Sequence, residues 1–198
     1  MIFFRKSKKT PEEFGRKLIE RITESGFRFW RGEEFRKMVD FSNLFQTEQD
    51  RIFNEVEVTG LGLLVLHLDD RVSKVEFTDR QLEFVNLQKA TINGFLNWLK
   101  ELGIQVKFVK IWKKLIDMRL NEYRKDYLTA QQESSFWKEF RGEKRVFRDI
   151  WARIETLAID SLHHIRRGKT IPKDPLWKYL RRWLTKLDVD IASMIQKF

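Results

Sequence analysis

Apolar residues recur every three or four positions along most of this chain, a spacing that predicts amphipathic helices. Near the start, residues 10–13 (Thr-Pro-Glu-Glu) have the types expected at a helix start: a hydroxyl cap, a proline at the first helical position and a glutamate that completes a capping box. Phe14, Leu18 and Ile22 then repeat at four-residue spacing. Gly26 is the predicted end of this helix, because glycine commonly follows a last helical turn.

The segment from Thr47 to about Val75 supports two interpretations. We favour one long helix with Thr47 as its cap, because the apolar positions keep a helical period. These positions are Ile52, Val56, Thr59, Leu63 and Leu66. The alternative is a small β-meander over residues 55–77, with turns at Gly60 and at residues 69–70.

The rest of the chain predicts four more helices. The first covers residues 78–102, with Thr78 as its cap and Gly103 after its end, and the second begins at Ile104. The third runs from after Ser135 to about Arg167, with a break at Gly142 and an end at Gly168. The last helix begins at residues 174–175 (Asp-Pro). We therefore expect an all-α fold, a single helical bundle of about six or seven helices over residues 1–198. Residues 1–9 form a flexible, basic N-terminal segment in this interpretation.

The net charge of +10 is distributed unevenly. Residues 1–99 contain equal numbers of basic and acidic side chains, so the whole excess lies in residues 100–198. A concentrated positive field attracts polyanions, acidic proteins or anionic lipid. The chain has no cysteine, which excludes disulfides and thiolate metal sites and favours a cytoplasmic protein. Residues 1–9 do not have the order of a signal peptide, and the longest apolar run, 61–66, is too short to span a bilayer.

Basic residues are densest between positions 166 and 186. They are Arg166, Arg167, Lys169, Lys173, Lys178, Arg181, Arg182 and Lys186, and the segment holds a single acid, Asp174. On the last helix, Lys178, Arg182 and Lys186 form a row at four-residue spacing. We predict that this C-terminal face binds a nucleic acid, DNA or RNA, through its phosphates, with the lysines of 107–114 as an extension. The alternative is that acids of the first half, such as Glu55, Asp69 and Asp70, neutralise it.

Two other function classes remain open. The first is a protein-interaction or self-associating scaffold module, because aromatic residues are frequent between positions 27 and 46 and are enriched in interface cores. A weak contact of residues 1–9 with an anionic membrane is a further possibility in this class. The second is a metal-dependent helical-bundle enzyme around Asp160 and His163, which share a helix face at three-residue spacing.

No catalytic residue, metal site, cofactor or small-molecule substrate follows from the sequence. Residues 168–170 (Gly-Lys-Thr) end like a phosphate-binding loop, but His163 stands where that motif needs its first glycine. Residues 60–62 (Gly-Leu-Gly) lack the third glycine of a dinucleotide-binding motif, since that position is Val65. We therefore expect a protein that acts by binding.

Overall fold

The computed structural model describes residues 10–75, 79–133 and 145–198, the last range with side chains from Arg148 onward. These residues form seven α-helices and one short 3-10 helix, and they contain no strand. The α-helices are α1 Pro11–Arg31, α2 Glu33–Met38, α3 Gln46–Lys74, α4 Asp79–Glu101, α5 Val106–Gln132, α6 Arg145–Ile165 and α7 Pro175–Ile195, and the 3-10 helix is Phe41–Asn43. The prediction of an all-α helical bundle is confirmed. None of the described helices is both long and apolar enough to cross a membrane.

Most predicted helix ends are confirmed. Thr10 and Glu13 form the capping box, in which the Thr10 hydroxyl accepts a hydrogen bond from the Glu13 amide at 3.2 Å. Gly103 and Gly168 follow α4 and α6 with positive φ angles of 81° and 75°, which a residue without a Cβ adopts freely. Asp174 caps α7 ahead of a proline at its first position. The predictions for residues 1–9, for Thr78 and for the break at Gly142 lie outside the described residues.

The long helix over the second segment is confirmed, and the β-meander proposed for 55–77 is wrong over the described residues 55–75. Its predicted cap is also wrong, because α3 begins after Phe45 and Thr47 lies inside its first turn. The Gln49 side-chain amide donates hydrogen bonds to the Leu44 carbonyl at 3.0 Å and to the Phe41 carbonyl at 3.2 Å. These bonds tie the preceding loop to a helix that begins two residues earlier than the sequence suggests.

The predicted stop at Gly26 is wrong, since α1 continues to Arg31. Gly26 is instead a point of close approach, because a Cβ there would lie 2.6 Å from Oε1 of Glu57. Beyond it, Phe29 is buried and stacks on Trp183 with ring centroids 4.5 Å apart. Burial of Phe29 therefore keeps α1 helical past a residue that favours a helix end.

Five helices surround α3. Around the ring, α4 packs beside α1, α1 beside α7, α7 beside α6, α6 beside α5, and α5 beside α4, while α3 packs against all five. Every residue of α3 from Glu55 to Leu68 is buried. A helix buried on every side has no polar face, which explains why the sequence of this segment lacks a clear helical stripe.

Polar side chains of α3 find their partners on the surrounding helices. Arg119 of α5 donates two hydrogen bonds to Glu55, at 2.7 and 3.0 Å. The hydroxyls of Thr59 and Ser161 lie 2.6 Å apart and join α3 to α6. Glu57 is the exception, because both of its carboxylate oxygens are buried and have no hydrogen-bond partner among the described residues. Burial raises the pKa of Glu57 well above the usual value.

Arg153 of α6 organises the other half of the core. Its guanidinium donates two hydrogen bonds to Asp188 of α7, at 2.8 and 3.1 Å, and a third to Asp70 of α3. The Tyr127 hydroxyl of α5 donates to Asp70 at 2.8 Å, and His67 lies 3.3 Å from Asp188. One buried cation thus connects α3, α5, α6 and α7. Removing one partner of such a cluster would leave an uncompensated buried charge.

The Gly-Leu-Gly sequence at 60–62 serves packing. A Cβ on Gly62 would lie 2.6 Å from the ring of Tyr123, and a Cβ on Gly60 would lie 2.8 Å from Cγ2 of Ile22. The two glycines therefore let α5 and α1 lie directly against the backbone of α3.

We expect Gly62→Ala to reduce the free energy of unfolding by about 1–3 kcal/mol, because the added methyl group would displace the buried Tyr123 ring. Gly94→Ala is the matched control, since a Cβ there meets its nearest neighbour, Ile19, at an ordinary 3.8 Å. It should raise stability by about 0.5–1 kcal/mol through helix propensity. Urea unfolding of both variants measures the difference. A stabilising Gly62→Ala would contradict the packing described here.

Candidate polyanion interface

The row of basic residues predicted on the last helix lies on the exposed side of α7. Leu176, Leu180, Trp183 and Leu187 face the core, among other residues of α7. Lys178, Arg182 and Lys186 lie on the other side and are exposed. Within the described part of the chain, none of these three forms an ion pair. The row is therefore a line of three free cations, each one helical turn from the next.

Arg181 has a different environment from that row. Its guanidinium lies over the rings of Trp151, 4.4 Å from the centroid, and Trp177, 5.2 Å from the centroid. It also pairs with Glu155 of α6 at 3.3 Å. Arg181 is thus half-buried between α6 and α7, where two aromatic rings and a carboxylate already surround its charge.

The loop between α6 and α7 contains the other four predicted residues. Arg166 donates two hydrogen bonds to Asp174, at 2.9 and 3.1 Å, and Arg167 donates two to Glu48 at the start of α3. Hydrogen bonds from Arg51 and Arg167 lower the pKa of Glu48 to about 2, so this carboxylate stays charged. Both arginines of the loop therefore have acidic partners, although Arg167 shares Glu48 with Arg51. Lys169 and Lys173 are exposed and form no ion pair within the described residues.

Three acids of α3 that the sequence suggested as neutralising partners bind other residues. Glu55 binds Arg119 and Asp69 binds Arg124, both on α5, at 2.7 and 2.8 Å. Asp70 binds Arg153 in the core. Neutralisation by acids of the first half is therefore wrong for these three, because arginines of α5 and α6 already bind them, but it holds for Arg167, which Glu48 of α3 binds.

A groove of about 410 Å³ between α1 and α7 adds residues that the sequence did not single out. Arg21 and Arg28 of α1 line it together with Arg182 and Lys186 of α7. Arg21 is held by Asp190 at 2.5 Å, and Arg28 by a longer, exposed contact of 3.8 Å to Glu24. Their seven-residue spacing places both arginines on one face of α1, but only the tertiary structure brings that face to α7.

The lysines of 107–114 lie elsewhere. They belong to α5, whose neighbours are α3, α4 and α6, whereas α7 packs against α1, α2, α3 and α6. The predicted extension of the basic face through these lysines therefore does not share the α1–α7 groove.

The aromatic residues between positions 27 and 46 mainly build the interior. Phe29, Phe35 and Phe41 are buried, while Phe27 and Phe45 remain exposed. Most of the predicted aromatic interface is thus occupied by intramolecular packing.

The arrangement around Asp160 differs from the predicted pairing with His163. His164, rather than His163, bonds to a carboxylate, with Nε2 lying 3.0 Å from Glu122. Burial, with the neighbouring charges of Asp126 and Glu122, raises the pKa of Asp160 to about 7. Among the described residues, no group of three or more potential ligands is arranged to hold a metal ion.

Comparison of the chain with protein-family models, with curated proteins and with solved structures gave no match. Any function must therefore be inferred from the side chains themselves. On α7 and the facing side of α1, those side chains are basic and largely exposed.

We expect the raised pKa of Asp160 to make its contribution to stability depend on pH. When the pKa of a carboxyl group is higher in the folded than in the unfolded chain, its contribution to the stability of the protein falls as pH rises. For Asp160 this fall lies between about pH 4 and pH 7. Asp160→Asn, which cannot ionise, should raise the melting temperature relative to the parent protein more at about pH 7.5 than at about pH 5.

Asp126→Asn tests the cause of this shift. Asp126→Asn removes one neighbouring negative charge, so Asp160 would ionise at lower pH. The variant should therefore reproduce part of the pH-dependent rise in melting temperature. If thermal unfolding showed an equal effect of Asp160→Asn at both pH values, this would contradict a raised pKa of Asp160.

Proposed function

We propose that this protein binds nucleic acid without catalysis, through the exposed row Lys178, Arg182 and Lys186 of α7 and the adjoining side of α1. The observation that carries the proposal is that these three cations are exposed and unpaired within the described residues. The rise of an α-helix separates the first from the last by about 12 Å. One strand of a DNA duplex presents about three or four phosphates over that length, so one backbone can engage the whole row.

Electrostatic repulsion along α7 supports this proposal. Like charges four residues apart on a helix repel by a few tenths of a kcal/mol per pair. No carboxylate relieves Lys178, Arg182 or Lys186 within the described residues, whereas Arg181 and Arg166 have acidic partners. A bound anion would therefore gain both direct attraction and the relief of this repulsion.

The groove between α1 and α7 places a further arginine beside the row. Arg28 of α1 faces the same groove as Arg182 and Lys186, and its contact with Glu24 is long and exposed. An exposed ion pair of this kind contributes little to stability, so a phosphate can replace Glu24 as the partner of Arg28 with little loss of free energy. The aromatic residues below, Phe29 and Trp183, are buried and cannot stack on bases. Binding should therefore depend on phosphates and show little sequence preference.

Salt dependence measures the number of contacts. With three or four phosphates neutralised, the affinity for duplex DNA should fall by about 40- to 150-fold between 50 and 200 mM salt. We expect Arg182→Glu/Lys186→Glu to weaken binding at least about tenfold and to reduce the slope of log affinity against log salt concentration by about 2. Fluorescence anisotropy with labelled DNA and RNA duplexes gives both quantities.

Lys89→Glu/Lys125→Glu is the control, because it makes the same change in net charge at exposed positions of α4 and α5. It should leave the slope nearly unchanged. Equal losses in the two double variants would show attraction to net charge alone and would contradict a binding face on α7.

A further inference from the structure

A second surface, on α3, α4 and α5, differs from the basic face in its chemistry. It is a groove of about 430 Å³ between the end of α4 and the start of α5, with α3 beneath. Its lining is mainly apolar and comprises Phe53, Trp98, Leu99, Leu102, Ile104, Phe108, Ile111, Trp112 and Leu115, together with Asp50 and Asn54. Asp50 accepts a hydrogen bond from Gln46 at 2.7 Å.

Several apolar side chains of this groove remain exposed. Relative exposure is 59% for Leu102, 46% for Phe108 and 60% for Ile111. Met118, further along the same side of α5, is 54% exposed. Neighbouring apolar residues exposed to this extent are typical of an interaction surface, whereas single exposed residues are ordinary.

Outward-facing positions of α5, with Leu115 half-buried and the others exposed, follow the pattern of a helix-docking seam. Phe108, Ile111, Leu115 and Met118 are separated by three, four and three residues, which places them in one line along α5. This line is additional to the buried stripe of α5, which includes Val109, Trp112 and Ile116. The helix therefore has one apolar side facing the bundle and a second facing solvent.

Lysines border this second apolar side. Lys107 and Lys114 are seven residues apart on the outer edge of the line, and the Lys107 ammonium lies 4.9 Å from the centroid of the Phe108 ring. Neither lysine forms an ion pair within the described residues, whereas the neighbouring Lys113 pairs with Asp117 at 3.1 Å. Positive charges beside an apolar seam select a partner with acidic flanks.

We propose that this groove binds an acidic amphipathic helix from another protein. Apolar residues of that helix, spaced three and four apart, would enter between α4 and α5, and its Asp or Glu residues would meet Lys107 and Lys114. This recognition uses a different side of the ring from the α1–α7 groove, so it is independent of the proposed nucleic-acid binding.

Charge and shape argue against other occupants. A second copy packed symmetrically on the same groove would bring lysines against lysines. Residues 1–9 of this chain are themselves basic and would be repelled. A membrane is flat, whereas this surface is concave, with Phe53 and Asn54 of α3 lining it between α4 and α5.

Two labelled helical peptides provide the test. Both carry leucines at the seam positions, and one has glutamates and the other lysines at the flanking positions. In fluorescence anisotropy the glutamate peptide should bind the full-length protein at least about tenfold more tightly than the lysine peptide. Lys107→Glu/Lys114→Glu should reverse this preference, which a merely structural role of the lysines would not do.

Ile111→Glu places a charge in the seam at an exposed position, so the fold should be retained. It should weaken binding of the glutamate peptide at least about tenfold and leave DNA binding unchanged. Val189→Glu, at a position of α7 that is 64% exposed, is the matched control and should affect neither peptide nor fold.

Three results would overturn the proposal. The first is equal binding of the two peptides, or no binding of either. The second is a concentration-dependent dimer, measured by light scattering, that Ile111→Glu abolishes, since this would identify a second copy as the occupant. The third is flotation with vesicles of anionic lipid that Ile111→Glu abolishes, which would identify a membrane.

Discussion

The burial of α3 on all sides is the constraint on which the rest of this structure depends. A helix enclosed by five others cannot direct its polar side chains to water, so each needs an internal partner or loses its charge. Arg119 meets this requirement for Glu55, and Arg153 meets it for Asp70 together with Asp188. Because these partners belong to α5, α6 and α7, the same ion pairs also determine how the outer helices are arranged around α3.

This internal pairing affects which acids can reach the exposed row on α7. Three acids of α3, Glu55, Asp69 and Asp70, are bound to arginines of α5 and α6. They are therefore not available to α7, where Lys178 and Lys186 form no ion pair within the described residues. The excess positive charge of residues 100–198 is then carried partly by exposed side chains such as Lys178 and Lys186.

Local sequence determines much of this fold but little of its charge pairing. Capping at Thr10 and Asp174 and the glycines after α4 and α6 act over a few residues, so the sequence predicts them directly. Gly26 misleads because its function is contact with Glu57, a residue on another helix. The α3 segment is ambiguous because complete burial removes the polar face on which a periodicity argument depends. For the candidate interface, the sequence identifies the basic row on α7, but the pairing of Arg167 with Glu48 spans more than a hundred residues and requires the tertiary structure.

The two proposed binding surfaces can be distinguished by what lies beside their cations. Next to Arg182, the aromatic side chains of Phe29 and Trp183 are packed into the core, so this part of the surface presents charge and hydrogen-bond donors to a partner. Such a surface suits phosphates, which need no apolar contact. Next to Lys107, Phe108 and Ile111 remain exposed, and burying them requires an apolar partner surface as well as opposite charge. Nucleic acid phosphates supply the charge alone, whereas an acidic amphipathic helix supplies both. Under the two proposals, similar cations on two sides of one bundle would therefore select different classes of macromolecule.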